Sequence, residues 1–461
     1  MPQDLHQRAK ERFEDAKEAA SEQHARMRED LLFSDPTDPQ QWDEKVKKMR
    51  GDRVCLTADR TNQYIFQVVN DARKNKPGIT TMPADSGADV QVALRLDGII
   101  RHIEYRSRAT VAYDTSIDHS ARCGLGWIRV VPEIVRPETN QQEVTIKRVH
   151  DPLSIVLDPD STEPDGSDAM FGFAETVMSK RAFERAYPKA DVSSWESADA
   201  GSAGWFTTDG VRICEYQYVE ETQANFVVAV DANGEELELS EDDYWLLAKQ
   251  IGYQPKVVRQ FMATERRVKW CKLNGAEVLE ETDWPGSMIP ICPVWGEEVV
   301  IDGLRHFRSL VRDATDPQRM FNFWRSASTE LVALAPRAPW IVPEGGIPMG
   351  EEGEKWRTAN TRSHPYLLYR PGAGAMPQRQ PFAGVPAGAI QEALNAADDM
   401  KAITGIYDAS LGARSNETSG RAIIARQREG DVGTFHFLDN LSRAIQYAGR
   451  VLVQIIPSLY S

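Results

Sequence analysis

The sequence lacks the long apolar segments and cysteine pairs that mark several large classes of protein. None of its 461 residues lies in a run approaching the roughly eighteen apolar residues of a membrane span. The charged start of the chain is not followed by the apolar stretch of a secretory signal. The five cysteines are widely separated and form no C-x-x-C pair: Cys55, Cys123, Cys214, Cys271 and Cys292. We therefore expect reduced thiols in a cytoplasmic protein.

The chain also lacks the positive charge typical of proteins that hold nucleic acid tightly. It has 69 acidic and 54 basic side chains, a formal net charge of -15 and a pI near 5.2. This balance repels DNA at long range, which argues against a repressor or nuclease but not against a conduit for DNA. With 41 % hydrophobic residues, the chain is long enough for two or three domains with packed cores.

Motifs of catalysis and cofactor binding are missing as well. The segment YDASLGARSNETSGRAIIARQREG, residues 407–430, has glycines and hydroxyls but no Gly-Lys-Ser/Thr core, and no strand precedes it. Ser415 and Ser419 lie in no G-x-S-x-G motif, and the histidines have no second ligand at metal-binding spacing. We expect no catalytic residue, cofactor or metal site, although catalytic groups distant in sequence remain an alternative.

The first part of the chain has the charge pattern and hydrophobic periodicity of helices, the α part of an expected α+β fold. Residues 1–50 are charged and poor in apolar side chains, which predicts a solvated helical arm. From about 60 to 122 the period is helical, with one apolar stripe on the second long helix. That stripe consists of Val92, Leu96, Ile99 and Ile103.

The middle of the chain changes to the period of antiparallel strands, with short helices at "KRAFERAYP" and "EDDYWLLAKQIG". Asn233-Gly234 and Asn274-Gly275 predict two-residue hairpin turns in which both turn residues have positive φ. We therefore expect an α+β domain from about residue 50 to 300.

Helical patterns return after residue 300. Asp316 is the expected N-cap and Pro317 the first residue of a helix that stops at Pro336, joined to a preceding helical piece as one long or broken helix. The proline- and glycine-rich stretch 337–386 predicts a compact irregular module with small strands at "PWIVP" and "YLLYR". An alanine-rich helix follows at 387–405.

The final segment predicts an amphipathic helix that ends near Pro457. Its apolar positions repeat at intervals of three and four: Leu438, Leu441, Ile445, Ala448, Leu452 and Ile455.

Between these helices the sequence predicts a loop flanked by glycines. Its residues are Leu411, Gly412, Ala413, Arg414, Ser415, Asn416, Glu417, Thr418, Ser419 and Gly420. Thr418 or Ser419 would cap a following helix that carries Arg421, Arg426 and Arg428. The simplest alternative is a surface helical hairpin without a special role.

Five segments, in order, resemble the portal proteins of short-tailed (podovirus) enterobacterial phages. They are TNQYIFQVVNDARKNKPGITTMP, LDGIIRHIEYRSRATVAYDTSIDHSARCGLGWIRVV, IKRVHDPLSIVLDPDS, VRDATDPQRMFNFWRSASTELVALAP and NETSGRAIIARQREGD. The resemblance spans about residues 50 to 456. DPQRMFNFWRS and ETSGRAI are its most specific parts.

The resemblance implies a ring-forming protomer with the portal fold. Twelve copies would form the head-to-tail connector at one capsid vertex and act as the DNA channel for genome packaging and ejection. The expected partners are double-stranded DNA, terminase, major capsid and scaffolding proteins, and a tail adaptor, without a membrane. Such rings are assembled in the host cytoplasm and belong to the virion.

The same resemblance divides the chain into portal regions. After a charged N-terminal arm (1–50), the parts are a wing (51–300), two stem helices (301–336 and 387–405), a clip (337–386), a channel loop (406–420) and return helices toward a crown (421–461). Relatives of this type often continue into a long helical barrel, so no barrel property is carried over.

Three hypotheses follow about the sites. Most of Arg421, Arg426 and Arg428 pair with carboxylates of the same or the next subunit, and at most Arg414 reaches the channel. The aromatic side chains of the clip pack between subunits: Trp340, Trp356, Tyr366 and Tyr369. The competing interpretation is a monomeric α+β enzyme or a helical adaptor of unrelated function.

Overall fold

The computed structural model describes residues 2–75, 77–83, 90–135, 138, 141–190, 205, 210–230, 236–334, 339–379, 387–406 and 434–460. Its helices are α1 (Pro2–Phe33), α2 (Glu44–Arg50), α3 (Thr61–Asn75), α4 (Val90–Ser107), α5 (Ala109–Cys123), α6 (Lys180–Ala186), α7 (Glu241–Ile251), α8 (Leu310–Leu334), α9 (Glu351–Arg357), α10 (Ala387–Thr404) and α11 (Phe435–Leu459).

The strands are β1 (Leu125–Ile134), β2 (Gln142–Arg148), β3 (Ile155–Leu157), β4 (Phe171–Met178), β5 (Val211–Val230), β6 (Glu236–Ser240), β7 (Lys256–Leu273), β8 (Val278–Asp283), β9 (Ile291–Trp295), β10 (Glu297–Ile301), β11 (Leu304–Arg308), β12 (Trp340–Ile341) and β13 (Gln378–Arg379). The largest sheet has the order β3-β4-β5-β7-β8, with β6 also paired to β5. A second sheet has the order β2-β1-β9, and β10-β11 and β12-β13 form small pairs. The predicted α+β class is confirmed.

The chain divides into two compact units. The first contains Met1–Met27, Val69–Phe307 and His436–Ser461, and the second contains Arg28–Val68 and Arg308–Phe435. The large sheets and α11 therefore belong mainly to the first unit, and the pair α8 and α10 belongs to the second.

The first helix forms as predicted, but the prediction that it is solvated is wrong. One face of α1 is buried against the large sheet through Leu5, Ala9, Phe13 and Ala16. The ring of Phe13 meets that of Phe173 at 5.2 Å between centroids. Four small or apolar side chains spaced by three or four residues are enough to attach a helix that is otherwise charged.

The hairpin between β7 and β8 exists, but its turn differs from the prediction. The loop has four residues, 274–277, since Leu273 pairs with Val278. The Asn274 side-chain oxygen accepts the backbone N–H groups of Ala276 and Glu277, each at 2.8 Å. This side-chain turn replaces the expected pair of positive φ angles, which neither Asn274 nor Gly275 has.

The turn chemistry expected at residue 274 occurs instead at Asp302-Gly303, which the sequence analysis did not identify. Their φ angles are +51° and +82°, and they join β10 to β11. At the other predicted hairpin, β5 and β6 pair in antiparallel fashion as expected, while Asn233-Gly234 lies outside the described residues.

The buried face of α4 is rotated from the predicted stripe. Asp97, Ile100 and Ile103 are buried, whereas Val92 is 48 % exposed. The helix tolerates Asp97 in this position because the carboxylate pairs with Arg101 at 2.8 Å.

The helix of the second unit begins earlier than predicted. Ser309, not Asp316, provides the cap: its hydroxyl accepts the N–H of Arg312 at 2.9 Å. Pro317 therefore lies inside α8. Burial of Leu310 and Val311 in the first turn offsets the hydrogen bond that this proline removes.

The other helix predictions of the second half are confirmed. α8 ends at Leu334, close to Pro336, and α10 occupies Ala387–Thr404. In α11, five of the six predicted apolar positions are buried, all but Leu438. Of the two small strands predicted between α8 and α10, only Trp340–Ile341 forms, and its partner is Gln378–Arg379 rather than residues 366–370.

Candidate functional site

The module between α8 and α10 has a small aromatic core of its own. The rings of Trp340 and Trp356 meet edge to face at 5.3 Å and 83°. The indole N–H of Trp356 donates to the carbonyl of Leu368 at 2.6 Å, and Arg379 lies over the ring of Trp340. The module thus buries Trp356 within one chain, and an interface role for this side chain stays a prediction.

Other apolar side chains of the same module remain at its surface. Tyr366 is 58 % exposed and Tyr369 is 37 % exposed. Further exposed apolar side chains are Ile341, Ile347, Met349, Leu368 and Met376. So many exposed apolar groups in a small module are typical of a surface that contacts another protein. An interface role for Trp340, Tyr366 and Tyr369 stays a prediction.

Helices α8 and α10 pack against each other, and small side chains dominate what α10 buries. The buried positions of α10 are Ala389, Ala393, Ala396, Ala397, Met400 and Thr404. Because alanine carries only a methyl group, two helix axes can approach closely along such a face. Elsewhere on α10, Ile390 and Leu394 are exposed.

A row of polar side chains on α8 binds the backbone of the extended segment 56–60. Gln318, Asn322 and Ser326 follow each other at intervals of four residues, and all three are fully buried. We call these three side chains the polar ladder. Four helical residues rise about 6.0 Å and two extended residues about 6.6 Å, so successive rungs meet every second backbone group.

Each rung of the polar ladder accepts one backbone N–H of segment 56–60. The contacts are Ser326 Oγ with the N–H of Leu56 (2.9 Å), Asn322 Oδ1 with that of Ala58 (3.0 Å) and Gln318 Oε1 with that of Arg60 (3.1 Å). Asn322 also donates to Gln41 Oε1 at 2.8 Å. This site was not predicted from the sequence, where its only signal is the i, i+4, i+8 spacing of polar residues on one helix.

The start of α8 is attached to the end of α1 through a buried carboxylate. Asp30 accepts the hydroxyl of Ser309 at 2.7 Å and the guanidinium of Arg312 at 2.8 Å. Burial raises the pKa of the Asp30 carboxyl to about 6, although the hydrogen bond from Ser309 and the charge of Arg312 both lower it. The helix cap is thus part of a network with a group that titrates near neutral pH.

The first unit contains a cleft of about 640 Å³. Phe307 and Trp295 stack on one another at its wall, 4.0 Å between centroids. The guanidinium of Arg305 lies over Trp295 and donates to Glu298 at 2.6 Å and to the Ser161 carbonyl at 2.8 Å. Arg305 therefore holds the local structure of this wall together.

The predicted channel loop and the arginines after it lie outside the described residues. This applies to Leu411 through Gly420, including Arg414, and to Arg421, Arg426 and Arg428. Among the described ranges, no group of three or more His, Cys, Asp or Glu side chains could hold a metal ion. In the same ranges, no helix is long and apolar enough to span a bilayer.

Comparison with known proteins finds similarity to phage portal proteins. The family model described as phage P22-like portal protein matches residues 10–461. A portal protein of Acyrthosiphon pisum secondary endosymbiont phage 1 is 23 % identical over 444 residues. That alignment covers 90 % of this chain and 59 % of the relative, so the chain spans about three fifths of the relative's length.

Proposed function

The chain belongs to the phage P22-like portal protein family, and from this premise we propose that twelve copies assemble into a ring at one vertex of a phage capsid. The ring would enclose the channel through which the genome is packaged and later ejected. The observation that carries this proposal is the family match over residues 10–461. Assembly would take place in the host cytoplasm, together with the major capsid and scaffolding proteins.

The charge of the chain supports a channel that DNA passes without sticking. Twelve copies at -15 each sum to about -180, which repels the phosphate backbone. In contrast, a ring of twelve exposed arginines would neutralise about a dozen phosphates and give a salt dependence near -11, a binding mode that would stall a moving duplex.

We assign the elements to parts of the ring as follows. The sheets of residues 51–300 form the wing, and α8 and α10 form the stem, within 301–336 and 387–405. At 25 residues, α8 is about 38 Å long, enough to line a substantial part of a pore. The module at 337–386 forms the clip, whose exposed apolar side chains would contact neighbouring subunits and then terminase or the tail adaptor.

Residues 406–420 are assigned to the channel loop, and 421–461 to the return through the wing. We propose that Arg421, Arg426 and Arg428 pair mostly with carboxylates and that only Arg414 reaches the lumen. The net negative charge supports this, because unpaired basic rings would hold the duplex. High-resolution imaging of the ring tests this pairing. A ring in which all three helix arginines face the pore would contradict the proposal.

The portal family is structural, and we propose that the chain needs no cofactor and catalyses no reaction. The competing candidates, a monomeric enzyme or a helical adaptor, predict a different mass in solution. Size-exclusion chromatography with light scattering should therefore give a particle near twelve subunits rather than a monomer.

Electron microscopy of the purified protein tests the proposal most directly. We expect ring-shaped particles with an axial opening wide enough for B-form DNA. Protein that never forms such rings, even when it is co-expressed with scaffolding and capsid proteins, would overturn the proposed function.

A further inference from the structure

The far end of the large sheet has two open edges. Strand β5 pairs with β6 on one side and with β7 on the other. Within the described residues, β6 has no strand on its outer side, and β8 covers β7 only at Lys269–Leu273. On the side away from β5, about a dozen residues of β7, 256–267, therefore have no strand partner among the described residues, and such an edge is the usual template for pairing with another strand.

The two open edges carry opposite charges in the same rows of the sheet. Val230 pairs with Glu236 on one side and with Lys256 on the other. Two residues earlier, Val228 pairs with Glu238 and with Arg259. Paired residues point to the same face, so in each row one edge ends in a glutamate and the other in a basic side chain.

These four charged side chains lie at the surface, and the guanidinium of Arg259 lies over the ring of Phe261 at 4.9 Å from its centroid. Glu236, Glu238, Lys256 and Arg259 are exposed, and none of them forms an ion pair with another side chain in the described ranges. Close to the basic edge, Val258 is 57 % exposed and Met262 is 69 % exposed. The acidic β6 edge of one copy therefore complements the basic, partly apolar β7 edge of another copy better than either edge complements a second copy of itself.

We propose that the β6 edge of one copy docks beside the β7 edge of the next copy, so that Glu236 and Glu238 face Lys256 and Arg259 across the interface. This inference rests on the proposed ring, because it supplies the contact between neighbouring subunits in the wing. The two surfaces are different, so the contact is head to tail, and such contacts close into rings. The affinity comes from main-chain hydrogen bonds along the edge, as in other strand additions.

The direction of the strands fits this arrangement. Both β6 and β7 are antiparallel to β5, so they run in the same direction. A neighbouring copy in the same orientation brings a parallel β6 to the open edge. Along both strands the charges then follow in the same order, 236 before 238 and 256 before 259.

Disulfide trapping tests the contact. We expect the variant Glu238→Cys/Arg259→Cys, in a Cys55→Ser background, to give a series of covalent oligomers on a non-reducing gel after assembled rings are oxidised. Inside one chain the two positions are separated by β5, about 9.6 Å for two strand spacings. This distance is too long for an internal disulfide, so every bond formed must join two copies.

The single variants Glu238→Cys and Arg259→Cys are the matched controls, because one thiol per copy links at most two chains. If the double-cysteine variant forms normal rings but gives no covalent species larger than dimers, the inference is overturned. This outcome would leave the proposed function intact, since ring formation is measured separately by electron microscopy.

Charge reversal provides a second test. Lys256→Glu/Arg259→Glu should lower the yield of rings about tenfold, because acidic groups would then meet across the interface. Adding Glu236→Lys/Glu238→Lys to the same chain should restore the yield, which a folding defect would not allow. Lys45→Glu/Lys48→Glu, at exposed positions of α2, makes the same change in net charge and is the control for charge alone. Unchanged ring yield in the first variant, or absence of rescue in the second, would contradict the proposal.

Discussion

Gly126 in β1 packs so closely on α5 that an added methyl group would overlap the backbone. A Cβ at this position would lie 1.9 Å from the carbonyl oxygen of Ser116. We expect Gly126→Ala to lower the free energy of unfolding by about 3 kcal/mol, because α5 or β1 must move to make room. Thermal unfolding followed by circular dichroism measures this.

Gly98 in α4 is the matched control. A Cβ there meets nothing within 4 Å, so Gly98→Ala should raise stability by up to about 1 kcal/mol through helix propensity alone. Equal effects of the two substitutions would contradict the close approach of α5 to β1.

Asp30 makes the stability of the second unit depend on pH. Its pKa rises from 3.8 to about 6 on folding through burial, so the stabilising contribution is complete below about pH 4. It is lost as the pH rises through 6, in total about 3 kcal/mol. Asp30→Asn cannot ionise, so its stability relative to the wild type should increase by up to this amount between pH 4 and 7.

Urea unfolding of both proteins across this pH range measures the difference. Glu29→Gln is the control: it removes a carboxylate from the neighbouring position, where the side chain is 70 % exposed, and should keep the wild-type slope. A constant difference between Asp30→Asn and the wild type would show that the carboxyl does not titrate in this window.

At the scale of elements, the polar ladder makes α8 the support for an extended segment. Asn322→Leu keeps the approximate volume but removes the acceptor of the Ala58 N–H and the donor to Gln41 Oε1. The amide nitrogen of Gln41 keeps its bonds to Phe33 and Asp59. Each buried orphan group costs about 1–3 kcal/mol. Hydrogen exchange at Ala58 should become at least about tenfold faster, equivalent to 1.4 kcal/mol.

Met320→Leu is the control for this prediction, because Met320 lies on the same helix but is 47 % exposed. It should leave exchange at Ala58 unchanged. If Asn322→Leu also leaves the amide protected, the segment is held by its other contacts.

Elements that depend on local patterns could be predicted from the sequence. The apolar repeat of α11 and the alanines of α10 gave correct helices. The start of α8 could not be predicted, because the cap at Ser309 depends on Asp30, which is distant in sequence. The burial of α1 likewise requires a sheet built from residues more than a hundred positions away.

The candidate site was predictable only in part. Of the four aromatic side chains that the sequence singled out in this module, Trp356 is buried within the chain, whereas Tyr366 and Tyr369 are exposed. The sequence pattern does not say whether the same chain or a neighbour buries such side chains. Gln318 and its two companions in the ladder are ordinary polar residues in a helix. Their role becomes visible only when the extended segment is placed beside them.

For the whole molecule, the acidic surface predicts weak contact with DNA. We expect the assembled ring to bind duplex DNA non-specifically, with a logarithmic salt dependence far below the value near -11 of a twelve-arginine ring. Titration of fluorescent duplex DNA at several salt concentrations measures this slope. A slope of about -10 would show that basic side chains line the channel after all.

The contacts between α8 and segment 56–60 can stay in register only over a short distance, because the helix and the extended chain advance by different amounts from one contact to the next. Each step adds about 0.6 Å of mismatch between helix and extended chain. Beyond the three rungs, where this mismatch has accumulated, the contact is made by longer side chains. One turn beyond Ser326, Glu330 is linked to the chain just before segment 56–60 through the long side chain of Arg50. Arg50 donates to Glu330 at 3.1 Å and to the Val54 carbonyl at 2.9 Å. One turn before Gln318 stands Ala314, which has no polar group. If α8 slid by one turn, Ala314 would lie where a polar side chain now accepts a backbone N–H. The positions of the polar side chains along α8 therefore allow a single alignment with segment 56–60.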